Sequence, residues 1–218
     1  MSSSIVSTVG RRVWDSRARP TIEVEITLAD GTVARAIAPA GASTGSGEAV
    51  DRRDGGDSFG GLDVRHAIAS VNGEIAKALH GRDAHDQTGI DALLIKLDGT
   101  PNKARLGGNS MIATSMAVLH AAALSSKKPL WHYLAGDGPV SIPVPEIQIF
   151  GGGAHAARRV DIQDFMVICP TAGSFAEALD RTAEVYRAAG GLLKARGLLQ
   201  GVADEGGFWP AFESNEEA

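Results

Sequence analysis

The chain has 218 residues, 44% hydrophobic and 22% charged, which is an ordinary balance for a globular protein with a substantial core. Its net charge of −5 gives no electrostatic reason to expect a nucleic-acid partner. The single cysteine, Cys169, excludes an intrachain disulfide and fits a reducing compartment. The first residues carry no secretory signal, and the longest apolar stretch, residues 111–124, is too short to span a bilayer. We therefore expect a cytoplasmic protein that binds neither nucleic acid nor membrane.

Three antiparallel strands are predicted near the N-terminus. Apolar and polar residues alternate over residues 22–28, which gives a strand with one buried and one solvent-exposed face. Asp30 and Gly31 then supply a hairpin turn, and residues 32–39 return as the partner strand. The earlier stretch 4–15 adds a third strand.

A run of helices follows these strands. Apolar residues at helical spacing predict a helix from Leu62 to a terminating glycine, Gly81. Two more helices are predicted over residues 86–97 and 109–125, and the composition of the second, rich in Ala and Met, indicates a central position. Strands followed by helices predict an α+β domain over residues 1–137.

The second region, residues 138–218, begins within a stretch rich in Gly and Pro. It contains predicted strands over 144–150 and 160–169, then a helix that opens with a capping box at Ser174. A unit with so few elements is near the lower size limit for a domain that is stable by itself. The helix-start signal at Ser214 has almost no chain after it, so we expect the sequence to be the front part of a longer protein.

Candidate functional residues lie in three loops. Residues 39–49 offer backbone N–H groups and the hydroxyls of Ser43 and Thr44, which suit an anion or a hard cation such as Mg²⁺. Taken alone, this segment is more simply interpreted as a flexible glycine turn. The last loop contains adjacent carboxylates, Asp204 and Glu205, before two glycines. Glu205 is a candidate general acid or base, and the alternative is a capping or turn residue.

The middle loop is rich in glycine and contains His155, just before a predicted strand that carries Gln163 and Asp164. Successive strand residues point to opposite sides, so Gln163 and Asp164 can share a site only at a strand end or a bulge. A single loop histidine is more often structural or exposed than catalytic. Arg158 and Arg159 would normally be a solvated pair.

In this order and spacing, the segments resemble those of the enolase (phosphopyruvate hydratase) family over essentially the whole chain. The resemblance covers the opening strands, the mobile loop, a helix junction, the first barrel strands and an acid-bearing turn. The corresponding segments are "GRRVWDSRARPTIEVEITLADG", "APAGASTGSGEA", "LDGTPNKARLGGNS", "GGGAHAARRVDIQDFM" and "VADEGGFWP".

The resemblance implies an α+β N-terminal domain, with an antiparallel sheet followed by helices, and the beginning of an α/β barrel of the TIM type with a ββαα start. It also implies Mg²⁺-dependent loss of water from 2-phosphoglycerate to give phosphoenolpyruvate, with two Mg²⁺ ions and a homodimer. Sites of this superfamily combine a Lys or His base with one or two Mg²⁺ ions.

Individual site residues are also implied by the resemblance. Glu205 would protonate the leaving hydroxide, and Ser43 would coordinate the second Mg²⁺ when its loop closes over the substrate. The residues that would contact the substrate or line its site are His155, Gln163 and Asp164. Further candidates near these residues are Asp204, Arg158 and Arg159.

The sequence departs from the family pattern first by absence. The family's carboxylate ligands for the tighter Mg²⁺, its lysine base and its phosphate-binding arginine all fall beyond residue 218. A TIM barrel takes about 250 residues, far more than follow residue 137 here. We therefore expect residues 1–218 alone not to dehydrate 2-phosphoglycerate.

The second departure is substitution near the site. Family members usually have Gly-Asn at Ala18-Arg19, Ser at Ala40 and Asn at Gly151. They usually have Asp-Asn-Asn at Ala157-Arg158-Arg159, Glu at Asp164 and Gly at Ala203. The arginines among these substitutions favour the binding of phosphate or carboxylate groups, which guanidinium groups recognise. One hypothesis is thus a diverged paralogue acting on another phosphorylated or phosphonate carboxylic acid, as in enzymes that form carboxyphosphonoenolpyruvate. Another is a non-catalytic enolase-like binding protein.

Overall fold

The computed structural model describes residues 3–41, 44–203 and 205–218. The chain divides into two compact units, Met1–Gly138 and Pro139–Ala218. The first unit is a three-stranded sheet followed by helices. Its elements are β1 (Ile5–Trp14), β2 (Pro20–Leu28), β3 (Val33–Ala38), a 3₁₀ turn (Ser58–Gly61), α1 (Arg65–Ser70), a π-helical turn (Val71–Ile75), α2 (Ala76–Leu79), α3 (Gln87–Asp98), α4 (Gly108–Ser125) and α5 (Leu130–Ala135).

The sheet of the first unit has the strand order β1-β2-β3, and both strand pairs are antiparallel. Alternate side chains of β2 are fully buried, as the sequence pattern predicts. In the turn between β2 and β3, Gly31 has a φ of +87°, and the N–H of Thr32 donates to Asp30 Oδ1 at 2.8 Å. The predicted three strands and hairpin are therefore confirmed.

The three predicted helices are also present, with small shifts at their ends. The one expected to end at Gly81 is interrupted by the π-helical turn, and Gly81 has a φ of +78° just beyond α2. Helix α4 packs on β2 and β3, where buried Ala113 and Ala117 allow a close approach to the sheet. Helix α5 was not predicted, since its single turn and a half carries too little periodicity. No helix within the described residues is long and apolar enough to cross a bilayer.

Asp98 organises the connection between α3 and α4. Its side chain is buried and accepts hydrogen bonds from the N–H of Leu106 at 2.7 Å and from the N–H of Thr100 at 2.9 Å, as well as from the Thr100 hydroxyl. Burial by itself raises the pKa of Asp98, but these donors outweigh it and hold the pKa below its ordinary value. The ionised carboxylate is therefore the form that stabilises this connection.

We predict that Asp98→Asn lowers the free energy of unfolding by about 1–3 kcal/mol at pH 7, because buried donors lose their charged acceptor. The depressed pKa makes this contribution fully present above about pH 4, and it is lost as the pH falls through the folded-state value. Urea unfolding at several pH values measures both effects. Asp57→Asn, at an exposed aspartate, is the control, and an equal loss for both variants would contradict the prediction.

The second unit contains a four-stranded mixed sheet in the order β5-β4-β7-β6. Strand β4 is parallel to β7, whereas the pairs β4–β5 and β6–β7 are antiparallel. Its elements are β4 (Glu146–Gly151), a 3₁₀ turn (Gly153–Ala156), β5 (Asp164–Ile168), α6 (Phe175–Ala195), β6 (Leu199–Val202) and β7 (Phe208–Pro210).

The predicted strand over residues 160–169 is wrong at its N-terminal end, because β5 begins only at Asp164. Before that residue, the carbonyl of Gln163 accepts from the N–H of Gly152 at 2.7 Å, and that of Val160 accepts from Gly153 at 2.9 Å. These bonds close the glycine loop around the 3₁₀ turn and end the strand ladder. Strands β6 and β7 were not predicted.

Helix α6 begins at the predicted capping box. The hydroxyl of Ser174 accepts from the N–H of Glu177 at 3.1 Å. The N–H of Gly173 donates to the Glu177 carboxylate at 2.7 Å and, with Arg181, lowers the pKa of Glu177. Farther along the helix, the ring of Tyr186 stacks on Phe208 of β7, with 4.2 Å between ring centroids, and anchors the helix to the sheet.

Two adjacent glycines in α6 provide a matched test of this packing. A Cβ at Gly190 would lie 2.4 Å from Phe208 Cζ, whereas one at Gly191 would meet nothing within 4 Å. We expect Gly190→Ala to reduce stability by about 1–3 kcal/mol through overpacking. Gly191→Ala should increase it by about 0.5–1 kcal/mol, since Ala is the better helix former. Urea unfolding of both variants decides, and effects of the same sign would refute the packing of Phe208 on α6.

Candidate active site

Two candidate carboxylates, those of Asp164 and Glu205, converge on the side chain of Gln148, in strand β4. Its Nε2 donates to Asp164 Oδ1, at the start of β5, and to Glu205 Oε2 at 3.0 Å, in the turn between β6 and β7. Its Oε1 accepts from the N–H of Gly207 at 2.9 Å. One half-buried amide therefore joins two carboxylates that are far apart in sequence.

The orientation of this amide is fixed by the backbone. The N–H of Gly207 can only donate, so the amide oxygen must face Gly207 and the NH₂ group must face the carboxylates. Each N–H bond of that group then has a carboxylate oxygen as its acceptor, one from Asp164 and one from Glu205. The arrangement leaves Gln148 with the donor side toward Asp164 and Glu205.

Asp164 is positioned by the first pair of the β4–β5 ladder, in which it lies opposite Gly151. Gln163 precedes the strand, and its Nε2 donates to Asp164 Oδ2 at 3.3 Å. The two residues can therefore lie on one side, because the strand begins between them. Asp164 thus accepts one amide donor on each carboxylate oxygen.

Glu205 lies in a tight turn that requires the two glycines after it. Gly206 has a φ of +96°, a conformation that L side chains rarely adopt. A Cβ at Gly207 would lie 2.4 Å from Gln148 Oε1. The hydroxyl of Tyr186 also donates to the Gly206 carbonyl at 2.9 Å. The turn presents the Glu205 side chain at the exposed surface of this unit.

The two loop arginines differ in their surroundings. Arg159 donates to the carbonyl of Phe212 at 3.2 Å and to the Glu213 carboxylate at 2.6 Å, so it holds the segment after β7. Arg158 is exposed and has a φ of +59°, directly after Ala157 at +50°. These two consecutive residues occupy the left-handed region, where Asn and Asp are better tolerated than Ala or Arg.

The remaining candidates cannot be placed by their side chains. Ser43 and Asp204 lie outside the described residues, as does the side chain of His155, whose backbone belongs to the 3₁₀ turn after β4. Thr44, next to Ser43 in the 39–49 loop, lines a cavity of about 400 Å³ in the first unit.

The described donor side chains do not form a metal site by themselves. Within residues 3–41, 44–203 and 205–218, no three or more His, Cys, Asp or Glu side chains form a group that could hold a metal ion. Asp164 and Glu205 each give an oxygen to the Gln148 amide. Mg²⁺ requires near-octahedral oxygen coordination, so this pair does not make a metal site by itself.

Sequence comparisons identify both units. The family model for the enolase N-terminal domain matches residues 5–134, and that for the enolase C-terminal TIM barrel domain matches residues 139–218. The chain belongs to the enolase family. The predicted fold class is thereby confirmed: an enolase N-terminal domain, with an antiparallel sheet followed by helices, and the start of the enolase TIM barrel.

Two enolases illustrate the similarity. An enolase from Acidothermus cellulolyticus is 50% identical over 216 residues, which cover 99% of this chain and 50% of that protein. Enolase 1 from Desulfitobacterium hafniense is 51% identical over 214 residues, which cover 98% of this chain and 49% of that protein. The chain therefore spans about half the length of the curated enolases that it matches.

Gln148 is the contributor that the sequence analysis missed. It lies between Ile147 and Ile149 in a strand whose neighbours are otherwise largely apolar, and Ile149 is buried. A polar side chain in such a strand is the signal that could have identified it, because a half-buried amide needs hydrogen-bond partners.

We predict that Arg158→Asn stabilises the protein by about 1 kcal/mol, because Asn tolerates the left-handed conformation better. Urea unfolding of the full chain measures the change. Arg196→Asn is the matched control, since Arg196 is also exposed but has an ordinary φ of −88° at the end of α6. Stabilisation of equal size in both variants would mean that the backbone at Arg158 is not the cause.

Proposed function

We propose that this chain is the N-terminal half of an Mg²⁺-dependent enolase that converts 2-phosphoglycerate to phosphoenolpyruvate and water. Support comes from the two family models matched in chain order and from relatives about half identical to the chain. The structural observation that carries the proposal is the convergence of Asp164 and Glu205 on Gln148. An exposed carboxyl group on a tight turn, beside a second carboxylate, suits proton transfer to a bound substrate.

The reaction assigns a definite task to Glu205. A proton leaves the carbon next to the substrate carboxylate, and its electron pair becomes the new carbon–carbon double bond. The carbon–oxygen bond to the hydroxyl group breaks, and the departing oxygen takes a proton to leave as water. Glu205, protonated beforehand, donates this proton. We assign the base to no residue of this chain.

The other site residues take roles around this step. We assign substrate contact to His155, Gln163 and Asp164, all of which precede or begin β5. Ser43 is assigned to a Mg²⁺ ion, which in such a site would stabilise the extra charge that develops on the substrate. The described donor set does not form a metal site by itself, so the metal assignment rests on the family and on residues outside this set.

We also propose that the protein is cytoplasmic and forms a homodimer. The first unit exposes an aromatic edge, with Trp14 52% and Phe59 45% exposed and their rings 5.0 Å apart. The guanidinium of Arg12 lies 5.4 Å and 5.1 Å from the two ring centroids. Exposed aromatic residues with an arginine are enriched in protein interfaces, and a second copy of the chain is the partner that we assign to this edge.

The alternative of another phosphorylated or phosphonate carboxylic acid depends on the substitutions near the site, which include three added arginines, Arg19, Arg158 and Arg159. Arg159 is occupied by the segment after β7, so it holds structure and is less available to a ligand. Arg158 is exposed, and a guanidinium there adds positive charge to the loop of His155. This substrate class is the second candidate, and it predicts turnover of such an acid in preference to 2-phosphoglycerate.

We predict that Glu205→Gln in the full-length protein lowers kcat by about 10²–10⁴-fold, because an amide cannot donate the proton that the leaving oxygen requires. Phosphoenolpyruvate formation from 2-phosphoglycerate with Mg²⁺ measures the rate. Glu216→Gln makes the same change at an exposed residue and should retain activity. An active Glu205→Gln variant would refute the role of Glu205, and an inactive wild type would refute the substrate assignment.

A further inference from the structure

We propose that Gln148 is a positioning residue that holds the carboxylates of Asp164 and Glu205 in a fixed mutual arrangement. The inference rests on the proposed function, in which both carboxylates belong to the active site. Gln148 itself is assigned no contact with substrate. It acts through the two residues that its amide joins.

Every polar atom of the Gln148 amide has a hydrogen-bond partner. The oxygen accepts from the backbone of Gly207, and the nitrogen donates to one carboxylate oxygen of Asp164 and to one of Glu205. A glutamine side chain offers one acceptor and two N–H donors in one plane. Satisfying all of them fixes the rotation of the side chain, and with it the direction of both donors.

The position of Gln148 in the sheet supports the same role. Strand β4 is an inner strand of the sheet, bonded to β5 on one side and to β7 on the other. Asp164 begins β5, and the Glu205 turn leads into β7. Gln148 therefore spans the ends of the two strands that flank its own. A side chain at this point contacts both carboxylates and so sets the distance between them. Each flanking strand positions only one of the two.

The two carboxyl groups also depend on the amide for a shared donor. Each presents an oxygen that accepts from the same nitrogen, and the NH₂ group has two N–H bonds, one for each. The amide supplies that donor without adding charge. Within the described residues, Asp164 and Glu205 are the titratable groups in hydrogen-bond contact with the Gln148 side chain.

Side-chain length matters for this contact. Asp164 has a single side-chain methylene, so its carboxylate lies close to its own strand. The glutamine side chain is long enough for its amide to reach Asp164 from β4. Whether the hydrogen bond between Gln148 and Asp164 forms therefore depends on the combined length of the two side chains.

The test uses isosteric and shortened variants of the full-length protein. Gln148→Met keeps the size and removes the hydrogen bonds, and we expect kcat/KM for 2-phosphoglycerate to fall by about 10²-fold, as for a displacement of about 1 Å. Gln148→Asn should cause a similar loss. Adding Asp164→Glu to Gln148→Asn restores the combined length of the two side chains. We expect kcat/KM of this double variant to be about tenfold higher than that of Gln148→Asn alone. No recovery in the double variant would overturn the length argument.

A pH profile separates positioning from bulk packing. Gln148→Glu keeps the size and the acceptor for Gly207, but its ionised form cannot donate to a carboxylate. Its protonated form can donate one hydrogen bond, so the activity lost relative to wild type should shrink as the pH falls. The loss in Gln148→Met should be independent of pH. Identical pH profiles for these two variants would overturn the proposal, as would wild-type activity in either of them.

A control variant and crystal structures distinguish failure of the positioning role from failure of the proposed function. Gln87 is another partly buried glutamine, whose amide donates to Asp91 at 3.1 Å in the first unit, and Gln87→Met should retain activity. Crystal structures of wild type and Gln148→Met test the geometry without an assay. We expect the separation of the Asp164 and Glu205 carboxylates to change, and an unchanged separation would overturn the inference. An inactive wild type with this change would refute the proposed function and leave the positioning role standing.

Discussion

The hydrogen bond from the Gly207 N–H to the Gln148 side chain determines much of the local organisation of the second unit. It fixes which side of the amide faces the carboxylates, and it links β4 directly to the residue before its parallel neighbour β7. A side chain larger than hydrogen at Gly207 would displace the amide oxygen. The glycine after the acid-bearing turn is thus required by a contact with a distant strand as well as by the turn itself.

Backbone constraints of this kind connect the small core to the site. Gly190 leaves room for Phe208, and Phe208 in turn stacks on Tyr186, whose hydroxyl holds the carbonyl of Gly206. The packing of α6 on the sheet is thereby coupled to the turn that carries Glu205. Interiors are close-packed, so a displacement of the helix would be transmitted to the turn.

The first unit could be predicted almost entirely from the sequence, because its strands and helices have local periodicity and clear turn residues. The second unit could be predicted less well. The start of β5 is decided by hydrogen bonds from Gly152 and Gly153, and β6 and β7 are too short to show a pattern. Residue types suggested Asp164 and Glu205 as site candidates, but the link between them depends on a long-range contact with Gln148 that no local motif encodes.

Some of the residues expected to depart from the family pattern have a local structural explanation. Gly151 and Ala203 lie against each other in the second unit. A Cβ at Gly151 would lie 2.5 Å from that of Ala203, so the space given up at one position is taken at the other. Arg159 likewise has local partners in the segment after β7. The residues at these two positions therefore fit each other, and Arg159 holds a neighbouring segment. Neither observation requires a changed substrate, whereas Arg158, which adds positive charge to the loop of His155, is better placed than Arg159 to contact a different ligand.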